Sequence, residues 1–494
     1  MKDSKFQKAI YAEVENGKEH LVISAVAGSG KTTTIINCLP RIPKEKSKIF
    51  VAFNNAIVDE LKKKINNPEV VITTMHSICW RALMKHYNYK VKLNNAKPLK
   101  IIERQAKLLK ILPKRIGFIM YTVSKLVDLI RHNLIDISDL DIVAALAERY
   151  DLDFDDEIYT IAKNTLTLMN KNRKEFDFTD MIFRIIEDDV TMPRFDFVFV
   201  DESQDLSKLQ HQIIKKLVAR KGRMIAVGDP RQAIYGFAGA DANSYNNLRN
   251  LFKGTVELPL SVNYRCGTDI VEHAKEINPV ILSFKKNPKG LVKDSPCKAI
   301  SDGDWVLCRN VKPLIVMNLY FLIKGQKSYV RGKDIGKGLE VFIKKMNCNS
   351  ISSLLKKIDL TVGVEMNKMR AKGIRNPQNT GKIDRMVQRT DAIKILSKNV
   401  NSVSVLVQFI RSVFKDEGEG VCLSTIHKSK GLENDNIFIL CPELIPSKYA
   451  TQPWQLEQEM NLDYVARTRA KKELHYITDY SKIEAEITKL LKDE

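Results

Sequence analysis

The sequence lacks the features that mark membrane, secreted and metal-cluster proteins. Its eight cysteines include no C-x-x-C pair, which argues against a zinc or iron–sulfur site and against a disulfide framework. No apolar run reaches the length that spans a bilayer, and the charged N-terminus has no signal-peptide core. We therefore expect a cytoplasmic protein with reduced thiols and no membrane partner.

Acidic residues are scarce relative to basic ones. The 494 residues include 80 Lys or Arg against 59 Asp or Glu, which gives a formal net charge of +21. This balance favours a polyanionic partner, with nucleic acid ahead of an anionic membrane surface. Hydrophobic residues make up 44% and charged residues 28%, as in ordinary globular proteins, so a disordered tail or a fibrous repeat is excluded.

Short apolar strands alternate with helical patterns along most of the chain, which is typical of parallel α/β sheets. Two stretches, 85–175 and 333–419, break this alternation and are expected to be mainly helical inserts. The sequence therefore predicts an α/β fold with two sheet domains, each carrying an insert. The first domain is expected at 1–84 and 176–260, and the second at 261–332 and 420–494.

A phosphate-binding loop follows the first predicted strand. Ala25-Val-Ala-Gly-Ser-Gly-Lys-Thr32 fits the P-loop pattern except for alanine at the first glycine position. Glycines let backbone N–H groups surround phosphates, Lys31 reaches the β- and γ-phosphates, and the Thr32 hydroxyl ligates Mg²⁺. The predicted nucleotide-binding residues of this loop are Ala27, Gly28, Ser29, Gly30, Lys31, Thr32 and Thr33.

An acidic pair follows the strand predicted at 197–200. Asp201 is expected to hold Mg²⁺, and Glu202 to orient or deprotonate the attacking water. Acidic residues at a strand end are common, but Asp201-Glu-Ser-Gln-Asp205 as a whole is a more specific pattern.

This acidic segment resembles that of the UvrD/Rep-type superfamily 1 DNA helicases. Further segments resemble the motifs of the same family in the same order, between about residue 4 and residue 478. They are 49–56, Thr73–Ser77, Val227–Asp241, Leu260–Arg265, Leu423–Glu433 and Asn461–Lys471.

The resemblance implies two RecA-like P-loop domains that hold ATP between them. It assigns Gln232 to the γ-phosphate or its attacking water. It assigns Arg265 and Arg469, whose rigid forks suit a transferring phosphoryl group, to the charge that develops there. The contacts that it implies to adenine and ribose are made by Gln7, Tyr264 and Glu433.

The resemblance also implies a groove for single-stranded DNA. Aromatic faces stack on bases with little sequence preference, and polar side chains bind phosphates. The implied contact residues are Phe53, Asn54, His76, Tyr235, Phe237 and His427. Packing in the core is the alternative interpretation of Phe53 and Phe237.

We therefore expect an ATP-dependent DNA helicase that moves 3′→5′ on single strands and separates duplex, with ATP and Mg²⁺ as cofactors. Single-stranded and tailed duplex DNA are the expected partners, together with replication or recombination proteins, and the protein is expected to be a monomer. The first alternative is a translocase that strips bound proteins and unwinds little, because Ala238 stands where the family has Arg and the second insert is short. A small-molecule P-loop kinase and a binding module with an inactive ATP site are more remote.

Overall fold

The computed structural model describes residues 3–52, 54–65, 67–88, 91–236, 239, 241, 243–371, 381–398 and 400–490. The chain divides into two compact units, Met1–Val262 and Asn263–Glu494. Each unit is built around a parallel sheet flanked by helices, which confirms the predicted α/β class.

A six-stranded parallel sheet forms the centre of the first unit. Its order is β3-β2-β6-β7-β1-β8, and a separate short pair joins β4 to β5. The strands are β1 (Leu21–Ala25), β2 (Lys48–Ala52), β3 (Val70–Thr74), β4 (Lys92–Leu93), β5 (Glu175–Phe176), β6 (Phe195–Val200), β7 (Val218–Gly228) and β8 (Val256–Leu260).

Helices cover both faces of this sheet, so its central strands are buried on both sides. In β1, Leu21 and Ile23 belong to one hydrophobic core and Val22 to the other. The helices are α1 (Lys5–Asn16), α2 (Lys31–Cys38), α3 (Asn55–Lys64), α4 (Met75–Tyr87), α5 (Lys97–Leu108), α6 (Pro113–Asn133), α7 (Leu140–Arg149), α8 (Asp156–Lys171), α9 (Asp180–Glu187), α10 (Lys208–Leu217) and α11 (Ser244–Arg249).

The first insert has a hydrophobic core of its own. Helices α5 to α8 enclose buried aliphatic side chains that run from Ile102 to Met169. The strand pair β4–β5 lies where the chain enters and leaves this insert, with Lys92 opposite Glu175. The insert is therefore a helical subdomain whose entering and leaving segments are paired with each other at its base.

A seven-stranded parallel sheet forms the centre of the second unit, in the order β11-β17-β16-β12-β15-β13-β14, and β9 pairs with β10. The strands are β9 (Val262–Asn263), β10 (Leu282–Ser283), β11 (Leu291–Ser295), β12 (Trp305–Cys308), β13 (Ser328–Arg331), β14 (Phe414–Lys415), β15 (Val421–Thr425), β16 (Asn434–Leu440) and β17 (Ala470–Ile477). The helices are α12 (Thr268–Ala274), α13 (Val311–Ile323), α14 (Lys333–Met346), α15 (Ile351–Ala371), α16 (Gly381–Ser397), α17 (Val403–Val413), α18 (Ile426–Ser429), α19 (Pro453–Arg467) and α20 (Tyr480–Leu490).

The second insert, α14 to α17, differs from the first in its packing. Its buried side chains, such as Leu339, Ile358 and Ile410, join the same core as Val306 of β12 and Phe438 of β16. Within the described residues, this insert therefore extends the core of the second sheet and does not enclose a separate one.

Two remaining expectations concern cysteines and membranes. All eight cysteines are free, and only Cys348 is not fully buried. Across the described ranges, none of the helices combines the length and apolar character that crossing a membrane requires.

Candidate functional site

The loop between β1 and α2 has the backbone of a phosphate cradle. Gly28 and Gly30 have φ angles of 64° and 74°, which glycine adopts without steric cost. A Cβ placed on Gly30 would have no atom within 4 Å, so the space above the loop is open. Ser29 is buried and its hydroxyl donates to the Val26 carbonyl at 2.8 Å, which holds the loop closed. Ala27 is also buried, whereas Thr33 is exposed.

The end of β6 brings two carboxylates to this loop. The Thr32 hydroxyl donates to Asp201 Oδ2 at 2.8 Å, and Lys31 Nζ lies 3.5 Å from Glu202 Oε1. These contacts form because β1 and β6 are parallel strands of one sheet, so their carboxyl ends lie along the same edge. The structure thus brings together the four residues that sequence analysis selected for phosphate, metal and water.

The electrostatics of this pair fit a divalent cation. Burial, and then the negative charge of Glu202, raise the pKa of Asp201 to about 6, against the opposing effects of Lys31 and Thr32. Hydroxyl and carboxylate oxygens are ligands that Mg²⁺ accepts, and Mg²⁺ commonly completes its shell with water and phosphate. The described residues contain no cluster of three or more His, Cys, Asp or Glu side chains that could hold a metal ion.

The backbone at Glu202 is strained, with a φ of 50°. Such a conformation costs a non-glycine residue of order 1–3 kcal/mol and is typical of functional sites. Glu202 Oε2 accepts a 2.6 Å hydrogen bond from the Gln204 amide, whose own oxygen accepts from the Asp229 backbone N–H at 3.0 Å. Gln204 therefore links the end of β6 to the segment after β7, where Gln232 is buried in a short 3₁₀ turn.

Gln7, the expected adenine contact, lies on α1 next to the helix that follows the loop. Its side-chain N–H donates to Thr34 Oγ1 at 3.3 Å, and its oxygen accepts from the backbone N–H of Ser4 at 2.9 Å. The first turn of α1 is thereby capped and oriented against α2. The predicted base contact stays a prediction.

The second unit groups its candidate residues around Thr468. Arg265 forms an ion pair with Glu433 and donates to the Thr468 carbonyl at 3.4 Å. Arg469 is almost fully buried and donates to the backbone carbonyls of Leu432 and Val465, at 2.9 and 3.0 Å. Both guanidinium groups therefore have partners within this unit.

Tyr264, next to Arg265, packs against Phe284 with ring centroids 4.9 Å apart at an angle of 49°. An aromatic ring held in this way is a stable surface for stacking. Its assignment to adenine stays a prediction.

The candidate strand contacts in the first unit have different environments. Asn54 caps α3, because its side-chain oxygen accepts from the Ile57 N–H at 2.9 Å. His76 stacks on Phe178 with centroids 3.9 Å apart. Burial, and then the nearby His132, lower the pKa of His76 to about 4, so its ring is neutral at pH 7.

The remaining candidate strand contacts are Tyr235, His427 and two phenylalanines. Burial, and then the negative charges of Asp205 and Glu202, raise the pKa of Tyr235 to about 12. His427, on α18 in the second unit, has a pKa lowered to about 4 by burial and then by Arg309. Phe53 and Phe237 lie outside the described residues.

Comparison with known proteins identifies the family. A family model for the UvrD/REP helicase N-terminal domain matches residues 6–253, and one for the UvrD-like helicase C-terminal domain matches residues 336–481. The first match alone covers half of the chain. The chain belongs to the UvrD/Rep helicase family.

Several curated relatives of this UvrD/Rep family member are named DNA helicases. The ATP-dependent DNA helicase PcrA of Bacillus subtilis is 25% identical, over 55% of this chain and 39% of its own length. The F-box DNA helicase protein 1 of Schizosaccharomyces pombe is 23% identical, over 95% of this chain and 56% of its own. The ATP-dependent DNA helicase Rep of Buchnera aphidicola is 24% identical, over 97% and 95%. The chain thus spans about half or less of the first two relatives.

Sequence reasoning missed one exposed aromatic residue of this UvrD/Rep family member. Phe178 follows β5 and stacks on His76, yet 53% of its surface is exposed. The only local sequence feature that points to an exposed Phe178 is its position between two acidic residues, Asp177 and Asp180. A core residue is not expected at such a position.

Sequence reasoning also missed the buried ionic network beneath Phe178. Asp180 lies 2.8 Å from Lys97 Nζ, 3.4 Å from Arg131 Nη1 and 3.7 Å from Arg184 Nε, and Asp177 accepts two 2.9 Å bonds from Arg131. These side chains are nearly inaccessible to solvent. The network ties α5 and α6 of the insert to the turn that carries Phe178.

Proposed function

We propose that this UvrD/Rep family member is an ATP-dependent DNA helicase that moves 3′→5′ along single-stranded DNA and separates duplex. The observation that carries the proposal is the centre formed by Lys31, Thr32, Asp201 and Glu202 at one edge of a parallel sheet. The named activities of PcrA and Rep support it. The polarity is supported by family resemblance alone.

The residues of the loop have distinct tasks in hydrolysis. Backbone N–H groups of the glycine loop and of the α2 N-terminus bind phosphate oxygens. Lys31 leaves Glu202 for the phosphates, which frees that carboxylate to take a proton from the attacking water. Thr32 and Asp201 would hold Mg²⁺, which would supply positive charge to the phosphate oxygens.

The arginines of the second unit make hydrolysis depend on a change of partners. To reach a transferring phosphoryl group, Arg265 must give up Glu433 and Arg469 must give up backbone carbonyls. An arginine that arrives in this way is worth roughly 10³–10⁵ in rate. Such dependence links hydrolysis to a conformational step, as a motor requires.

The strand-binding surface in the first unit works without positive charge on its histidine. His76 is neutral at pH 7 and stacks on Phe178, which is itself largely exposed. Stacking of a base on such an aromatic residue contributes about 1–3 kcal/mol. The net charge of +21 attracts the phosphates nonspecifically.

The expected partners are single-stranded and tailed duplex DNA, with replication, recombination or repair proteins acting on the same DNA. We propose that the chain works as a monomer in the cytoplasm. The names of the relatives and the basic charge support the DNA partner.

A second candidate function is favoured by the packing of the second insert. Because α14 to α17 share the core of the second sheet, they are less suited to act as a separate element that engages duplex. The chain would then be a single-stranded DNA translocase that strips bound proteins and unwinds little.

Strand displacement distinguishes these candidates. We would use two partial duplexes, one with a 3′ single-stranded tail and one with a 5′ tail, and follow ATP hydrolysis in the same tubes. Displacement only from the 3′ tail is the expected result. DNA-stimulated hydrolysis without displacement would favour the translocase, and displacement from the 5′ tail alone would contradict the polarity.

Two variants and a control tie the activity to the site. Lys31→Ala and Glu202→Gln should abolish displacement while leaving binding of single-stranded DNA largely intact. Glu60→Gln, on the exposed surface of α3 where Glu60 pairs with Lys64, should behave as the wild-type chain. Normal displacement by either site variant would overturn the assignment.

A further inference from the structure

Two segments of the ATP site are joined to each other on one side of the sheet. The first, 201–207, follows β6, and the second, which comprises the described residues of 228–244, follows β7. Leu206 O accepts from the Asp241 N–H at 3.1 Å, and Ser203 O accepts from the Ser244 hydroxyl at 2.8 Å. A Cβ on Gly228 would lie 2.5 Å from Ser203 Oγ, so the segments are in close contact. A displacement of one therefore moves the other.

The carboxyl end of α6, in the helical insert, contacts both segments. A 3.3 Å hydrogen bond joins His132 Nδ1 to Ser207 Oγ, at the end of the first segment. In the second segment, a Cβ on Gly239 would lie 3.8 Å from His132 Cβ and 3.6 Å from Leu129 Cδ2. Gly239 has no side chain of its own, so its packing in this segment is with the side chains of α6.

The residue before His132 connects it to the candidate strand surface. Arg131 is anchored by two 2.9 Å bonds to Asp177. The next residue after Asp177 is Phe178, whose exposed ring stacks on His76 with centroids 3.9 Å apart. The position of the His132 ring therefore follows that of the turn that carries Phe178.

We propose that His132 is a positioning residue that transmits the binding of a single strand at Phe178 and His76 to the ATP-site segments 201–207 and 228–244. This inference rests on the proposed function and adds a route for it. The path runs through packed and hydrogen-bonded groups of the first unit, which is the physical requirement for energetic coupling between two sites. The hydrogen-bond partner of His132 is Ser207, which is not one of the proposed phosphate, metal or water residues.

The test compares DNA-stimulated with basal ATP hydrolysis in the full chain, with single-stranded oligothymidine as the probe. The variants are His132→Ala and His132→Asn, whose amide can restore the hydrogen bond to Ser207. The matched control is Asn133→Ala, because Asn133 donates only within its own helix, to Leu129 O at 2.8 Å. Thermal unfolding of each variant is measured in parallel.

We expect His132→Ala to keep its basal rate, while its ratio of stimulated to basal rate falls roughly fivefold or more, the lower end of typical coupling between sites. The oligothymidine concentration for half-maximal stimulation should change little. His132→Asn should recover most of the ratio, and Asn133→Ala should match the wild-type chain.

Two results would overturn the inference alone. One is a ratio of stimulated to basal hydrolysis in His132→Ala that is close to the wild-type ratio. The other is a ratio in His132→Asn that is as low as the ratio in His132→Ala. Absence of stimulation in the wild-type chain itself would instead overturn the proposed function, and this inference with it.

Discussion

The buried network around Asp180 should be a major determinant of stability in the first unit. Replacing Asp180 by Asn removes the charge that faces Lys97 at 2.8 Å, Arg131 at 3.4 Å and Arg184 at 3.7 Å. Breaking a buried ion pair costs about 3–5 kcal/mol, because the remaining charge stays buried without compensation. Arg131 keeps Asp177 as a partner, but Lys97 loses the carboxylate that it contacts. We therefore expect the free energy of unfolding to fall by an amount within that range.

Unfolding in urea can be assigned to the first unit through its tryptophan. The chain has Trp80 in the first unit, and Trp305 and Trp454 in the second. In a background with Phe at 305 and 454, fluorescence reports the surroundings of Trp80, which packs against a core of the first sheet. The matched control is Glu103→Gln, which breaks an exposed 2.8 Å pair with Lys107 in the same insert.

Asp180→Asn and Glu103→Gln should differ clearly in their free energy of unfolding. Glu103→Gln should change the unfolding free energy by about 0–1 kcal/mol, as is typical of surface pairs. Adding Lys97→Met to Asp180→Asn should recover part of the loss, because it removes the uncompensated ammonium. The reasoning is refuted if Asp180→Asn lowers the free energy of unfolding no more than Glu103→Gln does.

Three further predictions follow from the described contacts. Arg265→Ala should lower kcat for DNA-stimulated ATP hydrolysis by roughly 10³-fold or more. Arg467→Ala, which breaks ion pairs in the same unit, should not lower kcat to this extent. Equal rates for the two variants would contradict the role of Arg265. Phe178→Ala should weaken binding of oligothymidine by about 1–3 kcal/mol, measured by fluorescence anisotropy, and unchanged affinity would exclude the stack. Burial opposes ionisation of Asp177, but Arg131 outweighs it and holds the pKa of Asp177 below the ordinary 3.8. Because the folded state then binds protons less readily than the unfolded state, stability should fall as pH drops below about 4, and the fall should be smaller in Asp177→Asn.

The environment of the arginines in the second unit adds a consequence for the ATP cycle. Arg265 already neutralises Glu433, the residue expected to contact ribose, so binding of nucleotide at Glu433 and release of Arg265 are expected together. Arg469 is almost fully buried and donates to backbone carbonyls within the unit, so its release is a separate change of partners.

Much of the fold could be predicted because its central strands are apolar on both faces. The strand predicted at 197–200 lies within Phe195–Val200 and ends at the residue that the sequence predicts. The strands that sequence analysis missed, such as Leu291–Ser295 and Ser328–Arg331, lie towards the edges of the second sheet and mix charged with apolar residues. Their pairing depends on tertiary contacts that a local pattern does not contain.

The candidate site was accessible to sequence analysis only where its residues form compact motifs. Thr32 and Asp201 stand 169 positions apart and still meet. Both could be predicted because each belongs to a strand–loop motif that can be recognised by itself. The contact of Lys97 with Asp180 spans 83 positions and has no such pattern, and a buried charge looks like a surface charge in sequence. The stack of Phe178 on His76 was missed for the same reason.

The central claim is that the centre at Glu202 hydrolyses ATP in response to single-stranded DNA. The most direct test measures ATP hydrolysis by the wild-type chain and by Glu202→Gln, with and without oligothymidine, while anisotropy records binding of the same oligonucleotide. We expect stimulated hydrolysis by the wild-type chain, and binding without hydrolysis by Glu202→Gln. Hydrolysis by Glu202→Gln at the wild-type rate, or a wild-type rate that oligothymidine leaves unchanged, would contradict the claim.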